Sequence, residues 1–160
     1  MIVILHNIRS LYNVGAIFRT ADAADIKKIY LGGITPTPLD RFGRVRSQVA
    51  KVALGAERTV PWEKVIQLGR LLDQLKRDGY KILAVEQAKS SIPYYRVKLK
   101  KTALNKTALV LGNEVRGLPS SILNKADKIL EIPMRGKKES LNVATTFAIV
   151  VFHLITSSPH

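Results

Sequence analysis

Cysteine is absent from the 160-residue chain, and histidine is scarce. Without cysteine there are no disulfide bonds, no thiolate nucleophile and no cysteine-ligated metal, and a reducing, cytoplasmic setting fits. The three histidines, His6, His153 and His160, form no grouping typical of metal ligands. We therefore expect no metal site.

Long hydrophobic runs are also missing. The last long apolar run, residues 141–155, is shorter than the about 20 residues that a membrane-spanning helix needs. The apolar start at residues 1–5 is too short for the core of a signal peptide. We expect neither a membrane span nor a targeting segment.

Acidic residues are few relative to basic ones. The chain has 26 lysine and arginine residues but 12 aspartate and glutamate residues, which gives a formal net charge of +14. Such an excess repels itself unless it meets a polyanion. Many of the arginines stand beside glycine or proline in apparent loops, so we expect a nucleic-acid partner, with an anionic membrane surface as the alternative.

Short apolar runs alternate with helical patterns, which is typical of an α/β fold with a parallel sheet and helices on both faces. The length is that of one domain, and we assign residues 1–160 to it with no appended recognition domain. The predicted strands are 2–5, 29–31, 82–85, 108–111 and 129–132. The predicted helices are 13–25, 45–54, 61–78 and a closing helix that begins near Ser140.

Two glycine-containing loops each follow a predicted buried strand. One runs from Gly112 to Pro119 and the other from Ile132 to Gly136. Because ligands of open α/β sheets lie beyond the carboxyl ends of the strands, we expect the two loops to form one pocket. Neither loop matches the G-x-G-x-x-G fingerprint or the Walker loop, which disfavours a dinucleotide or a nucleoside triphosphate.

Several polar residues have two interpretations on pattern alone. Ser140 is typical of an N-cap, whereas Asn142 is a mediocre helix former at a helix start that offers free N–H groups to a ligand. Arg19 lies off the apolar stripe of its helix, where an ion pair with Asp22 is the simpler interpretation. Tyrosines interleaved with lysines over residues 90–106 suit either a nucleic-acid surface or a solvated connection.

Three segments resemble the motifs of the SpoU RNA methyltransferase family. Residues 13–20 (NVGAIFRT) are similar to the first motif, N-x-G-x-x-x-R-T. Residues 109–119 (LVLGNEVRGLP) resemble the second motif, and residues 132–143 (IPMRGKKESLNV) resemble the third with its Ser-Leu-Asn-Val core. The three occur in the family order and extend over nearly the whole chain.

This resemblance implies transfer of a methyl group from S-adenosylmethionine to a ribose 2′-hydroxyl of RNA. It also implies a parallel sheet whose C-terminal part forms a deep trefoil knot, and a homodimer packed partly through the last helix. The sequence agrees on one point. Residues 141–155 have little polar face, and a helix that is apolar all round must be covered on all sides.

The resemblance further implies roles for individual residues. Arg19 is the implied catalytic residue, either as a base assisted by an RNA phosphate or as a stabiliser of the developing alkoxide. The second role is physically easier, because arginine is effectively always protonated. Asn13, Glu114 and Asn142 are implied to orient Arg19, the ribose or the RNA. The implied contacts to the donor come from Gly112, Ile132, Leu141, Met134 and Ser140.

The RNA target is open at this point. We expect phosphate contacts from Arg41, Arg44, Arg46 and Lys51, together with residues 90–106. Transfer RNA is the first choice, with a D-loop guanosine as the candidate position, and the wobble position or ribosomal RNA are the alternatives. A non-catalytic RNA-binding protein on the same fold would lack Arg19, Glu114 or Asn142, and the first motif argues against a base-modifying methyltransferase of the same superfamily.

Overall fold

The computed structural model describes residues 1–157, so His160 and the last three residues of the predicted domain lie outside the described residues. The strands are β1 (Ile2–His6), β2 (Lys28–Gly32), β3 (Trp62–Val65), β4 (Lys81–Val85), β5 (Ile92–Pro93), β6 (Thr107–Leu111) and β7 (Lys128–Glu131). The helices are α1 (Leu11–Ala23), α2 (Ser47–Ala53), α3 (Ala56–Thr59), α4 (Leu68–Arg77), α5 (Lys101–Asn105), α6 (Ser120–Leu123) and α7 (Val143–Thr156), with a 3₁₀ turn at Tyr94–Arg96.

These strands form one parallel sheet with the order β3-β2-β1-β6-β4-β7-β5. Alternate residues of β1 contact opposite layers. Val3 and Leu5 belong to the larger apolar core, which is covered by α1, α2, α3 and α7, whereas Ile2 and Ile4 belong to the smaller core under α4 and α6. The prediction of a parallel sheet with helices on both faces is confirmed.

One predicted element is wrong. Residues 61–78 do not form a single helix, because residues Trp62–Val65 are strand β3 and α4 begins at Leu68. The strand pairs in parallel with β2, and the carbonyl of Pro61 accepts the N–H of Ile29. The apolar residues of both elements fit a helical spacing, but pairing at the sheet edge determines the conformation of the first four.

Both long helices that flank the site begin at residues other than those predicted. Ser10 caps α1 by accepting the N–H of Asn13, so α1 begins at Leu11 and the Asn13 side chain is free for other contacts. Asn142, not Ser140, is the N-cap of α7, where its Oδ1 accepts the N–H groups of residues 144 and 145. The motif asparagine Asn142 therefore has a structural role that its sequence position did not show.

The segment 90–106 contains more regular structure than predicted. It holds the short strand β5, the 3₁₀ turn and α5. Tyr94 is half-buried and packs edge-on against His153 of α7, whose Nε2 lies 3.0 Å from the carbonyl of Val97. Tyr95 remains exposed. The part of this segment that is available to a ligand is therefore smaller than the sequence indicated.

Candidate active site

A cavity of 290 Å³ lies beyond the carboxyl ends of β4, β6 and β7. Its walls are the turn that follows β6, the irregular segment that follows β7, and the first turn of α7. Gly112 lines it from the first wall and Ile132 from the second. The prediction that the two loops form one pocket is confirmed.

The five residues that the resemblance implies as donor contacts all line this cavity, namely Gly112, Ile132, Leu141, Met134 and Ser140. Gly112 is restricted by its surroundings. A Cβ added there would lie 2.7 Å from the carbonyl carbon of Gly117 and from the nitrogen of Leu118. Close packing of two backbone segments therefore requires glycine at this position, whatever the ligand.

The charge of the cavity is opposite to that of the chain. Among residues 1–157, its lining includes glutamates but no lysine, arginine or histidine, in a protein of formal net charge +14. The glutamates are Glu86, Glu114, Glu131 and Glu139. Such a lining favours a cationic ligand and disfavours a phosphate.

Three motif residues that are far apart in the chain form one hydrogen-bonded series. The carboxylate of Glu114 accepts the Nδ2 of Asn13 at 3.1 Å and the backbone N–H groups of Arg9 and Ser10 at 3.2 Å. The Oδ1 of Asn13 accepts the Nδ2 of Asn142 at 3.0 Å. Because the Nδ2 of each asparagine donates to an oxygen of the next residue in the series, these hydrogen bonds set the orientation of both side-chain amides.

The electrostatics of Glu114 follow from these contacts. Partial burial alone would raise the pKa of its carboxyl. The hydrogen bonds from its own backbone N–H, from Asn13, and from the N–H groups of Arg9 and Ser10 outweigh burial and hold the pKa below its usual value. Glu114 is therefore an anion that orients the N–H groups around it. It is not suited to accept a proton near neutral pH.

Arg19 lies apart from this series. It is exposed on α1, and at 100° per residue it points about 120° away from Asn13 around the helix axis. It does not line the cavity, and within residues 1–157 its side chain has no hydrogen bond or ion pair. Asp22, the partner expected from the pattern, instead accepts the hydroxyl of Thr59 at 2.6 Å. The ion-pair interpretation of Arg19 is therefore wrong for this structure.

The predicted phosphate contacts lie on or near the connection after β2. Arg41 and Arg44 are exposed and stand 4.7 and 5.0 Å from the ring of Phe42, at the tip of a hairpin. Arg46 is half-buried, and its Nε donates to the carbonyl of Thr37. This hydrogen bond indicates a structural role for Arg46. Lys51, on α2, is exposed.

Sequence reasoning missed two residues of the site. Glu86 and Gln87 follow β4 directly and both line the cavity. Glu86 accepts the N–H of Leu118 at 2.8 Å, and the Nε2 of Gln87 donates to the carbonyl of Glu139 at 2.6 Å. The signal in the sequence that could have identified them is a pair of polar residues directly after a buried strand.

Within residues 1–157, no group of three or more histidine, aspartate or glutamate side chains could hold a metal ion. Over the same residues, every helix is too short or too polar to cross a membrane.

The model of the SpoU rRNA Methylase family matches residues 1–152. The 23S rRNA (guanosine-2′-O-)-methyltransferase RlmB of Neisseria meningitidis is 33% identical over 151 residues, which are 94% of this chain and 56% of that protein. The crystal structure of the A. aeolicus TrmH/SpoU tRNA modifying enzyme superposes with a TM-score of 0.80 at 30% identity, over 95% of this chain and 72% of that one.

A structure solved with a methyl donor is also similar. The AdoMet-bound rRNA methyltransferase from Sinorhizobium meliloti has a TM-score of 0.79 at 28% identity, over 95% of this chain and 54% of that one. The chain spans a little over half the length of such relatives. Because the family model extends over residues 1–152, the chain belongs to the SpoU methyltransferase family.

Proposed function

We propose that the protein is an S-adenosylmethionine-dependent RNA ribose 2′-O-methyltransferase. The observation that carries the proposal is the series Glu114–Asn13–Asn142 beside a cavity at the carboxyl ends of the strands. It brings residues from all three motif segments to one place. The names of the relatives and the donor bound in one of them support the same activity.

The cavity fits the donor by its chemistry. S-adenosylmethionine supplies an electrophilic methyl group on a sulfonium, and with its ammonium group and its carboxylate it has a net positive charge. A lining with four glutamates and, within residues 1–157, no lysine, arginine or histidine suits that charge. Gly112, Ile132, Met134, Ser140 and Leu141 would hold the donor.

The chemistry needs proton removal from a ribose hydroxyl and in-line positioning. The Arg19 side chain has no hydrogen bond or ion pair within residues 1–157, and it is the residue we assign to the ribose, where its guanidinium stabilises the developing alkoxide. Since Arg19 does not line the cavity of its own chain, we assign the complete site to a homodimer, in which a second copy approaches the donor. Phe152 of α7, 39% exposed, belongs to the apolar surface that this dimer would cover.

The trefoil knot of the family is also part of the proposal. Strand β4 lies between β6 and β7, and the chain returns from β7 through the irregular segment at the cavity before α7 begins. That course is compatible with a knotted C-terminal part, in which the donor would be bound by backbone from several crossings.

The second part of the proposal concerns the RNA that is methylated. The relatives named as 23S rRNA guanosine methyltransferases favour ribosomal RNA, and the A. aeolicus tRNA modifying enzyme keeps transfer RNA in consideration. Mapping of 2′-O-methyl sites in total RNA, with the gene intact and with it deleted, would decide. Loss of one site in 23S rRNA or in one tRNA names the target, whereas an unchanged map would overturn the proposed activity in the cell.

A further inference from the structure

One wall of the cavity, the segment after β7, has little hydrogen bonding of its own. Residues 133–141 contain no helix or strand, and within residues 1–157 the only hydrogen bond recorded for them runs from the Nε2 of Gln87 to the carbonyl of Glu139. Yet Met134, Ser140 and Leu141, which line the cavity, all belong to this segment. The side-chain hydrogen bond of Gln87 therefore joins this wall to the end of β4; we call this contact, and the matching one made by Glu86 below, a tie.

The opposite wall, the turn after β6, has hydrogen bonds of its own through Asn113, and the residue next to Gln87 also holds it. One carboxylate oxygen of Glu86 accepts the N–H of Leu118 at 2.8 Å, and the other accepts the N–H of Gln87 at 3.0 Å. A Cβ at Gly117 would lie 2.1 Å from Glu86 Oε2, so the carboxylate sits directly against the turn. The same turn packs on Gly112. Glu86 therefore supports the backbone that lines the cavity.

Sheet order explains why both ties start from one point. Strand β4 lies between β6 and β7, so its carboxyl end stands between the two loops that follow those strands. The chemistry of each residue matches its task. A carboxylate has only acceptors and receives two backbone N–H groups, whereas an amide has the donor that a backbone carbonyl requires.

We propose that Glu86 and Gln87 are positioning residues, which hold the two walls of the cavity in the shape that binds the methyl donor. The donor part of this inference rests on the proposed function. Neither residue needs to touch the reacting atoms, and their effect on methyl transfer passes through donor affinity.

The tie made by Gln87 is tested in the ligand-free protein by trypsin. Arg135, Lys137 and Lys138 are exposed cleavage sites within the tied segment. Because proteolysis follows the population of the open form, Gln87→Ala should accelerate cleavage there by about 2- to 13-fold, the range expected for one lost hydrogen bond. Gln67→Ala is the matched control, since Gln67 is exposed and its side chain makes no hydrogen bond within residues 1–157.

The tie made by Glu86 is tested by hydrogen exchange at the Leu118 amide. Glu86→Ala should accelerate that exchange by about tenfold or more, as expected for loss of a charged acceptor. Glu86→Gln keeps the volume and one acceptor oxygen, so it should give a smaller change and remains informative if the alanine variant does not fold.

Calorimetry with S-adenosylmethionine then tests the consequence for binding. Both alanine variants should bind the donor more weakly, by at least about 2-fold for Gln87 and about tenfold for Glu86, with RNA affinity unchanged. Equal cleavage, exchange and donor affinity in variants and wild type would overturn the inference, as would cleavage that rises throughout the chain. If the ties respond as expected but the wild-type protein binds no donor, the positioning of the walls stands and the proposed function fails.

Discussion

The side-chain amide of Asn142 donates to the side-chain oxygen of Asn13 across 3.0 Å, while its own oxygen caps α7. One residue thus starts the last helix and aligns the first motif, and the two tasks use different atoms. The Oδ1 serves the helix and the Nδ2 serves the site.

Substitution of Asn142 should separate these tasks. Asn142→Asp keeps a good N-cap, so unfolding stability should stay within about 0.5 kcal/mol of wild type, but it removes the donor to Asn13 and should reduce methyl transfer at least about tenfold. Asn142→Ala should lose about 1 kcal/mol of stability as well. Denaturant unfolding and initial rates measure the two effects, and full activity in the aspartate variant would show that the contact has no role.

Replacement of Arg19 should affect chemistry alone. Arg19 is exposed and has no partner within residues 1–157, so Arg19→Ala should change stability by no more than about 0.5 kcal/mol. Donor affinity should be unchanged and methyl transfer should fall about 100-fold or more. Arg70→Ala, at an exposed arginine of α4, is the control. Near-normal turnover by the Arg19→Ala variant would contradict a catalytic role for Arg19.

Acidification should remove the contribution of Glu114. Its pKa is lower in the folded protein than the about 4.3 of an unfolded glutamate, so its stabilisation is fully present above that value and is lost as the pH falls through the folded pKa. Glu114→Gln should be less stable than wild type by about 1 kcal/mol at pH 7, and the difference should shrink below about pH 4. Denaturant unfolding at both pH values measures this, and a constant difference would contradict it.

RNA binding should depend steeply on salt through the exposed cations near the Phe42 hairpin. Alanine at Arg41, Arg44 and Lys51 should reduce the slope of log affinity against log salt by about 0.7 to 0.9 for each lost phosphate contact. Arg46 is left intact because it is half-buried and its Nε supports the loop, whereas the ion pair between the exposed Arg44 and Asp40 is a surface contact that contributes little. Filter binding over a salt series measures the slope, with Arg70, Lys76 and Lys81 replaced together as the control. Equal slopes in the two variants would place the RNA elsewhere.

Much of the fold was predictable because buried parallel strands are continuous apolar runs. Residues 82–85 and 108–111 are examples, and both form strands. Strand β3 was not predictable from its own residues, since its conformation depends on pairing with β2 and on its place at the sheet edge. The start of α7 was missed because two residues near it, Ser140 and Asn142, are both good caps.

The residues of the site were likewise predictable only in part. The resemblance placed Gly112 and Met134 in a ligand cavity, and the structure has them there. The contact between Asn13 and Glu114 joins residues 101 positions apart, which no local pattern contains. The roles of Glu86 and Gln87 depend on β4 lying between β6 and β7, and sheet order is not encoded in the short segment that carries them.

The most direct test of the account is methyl transfer by the purified protein. It would be incubated with isotope-labelled S-adenosylmethionine and with ribosomal or transfer RNA from a strain that lacks the gene, and the RNA would be digested to nucleosides for mass spectrometry. The account predicts label in a 2′-O-methylnucleoside with wild-type protein and its loss with Arg19→Ala. Label on a base, or RNA binding without any transfer of label from a bound donor, would contradict it.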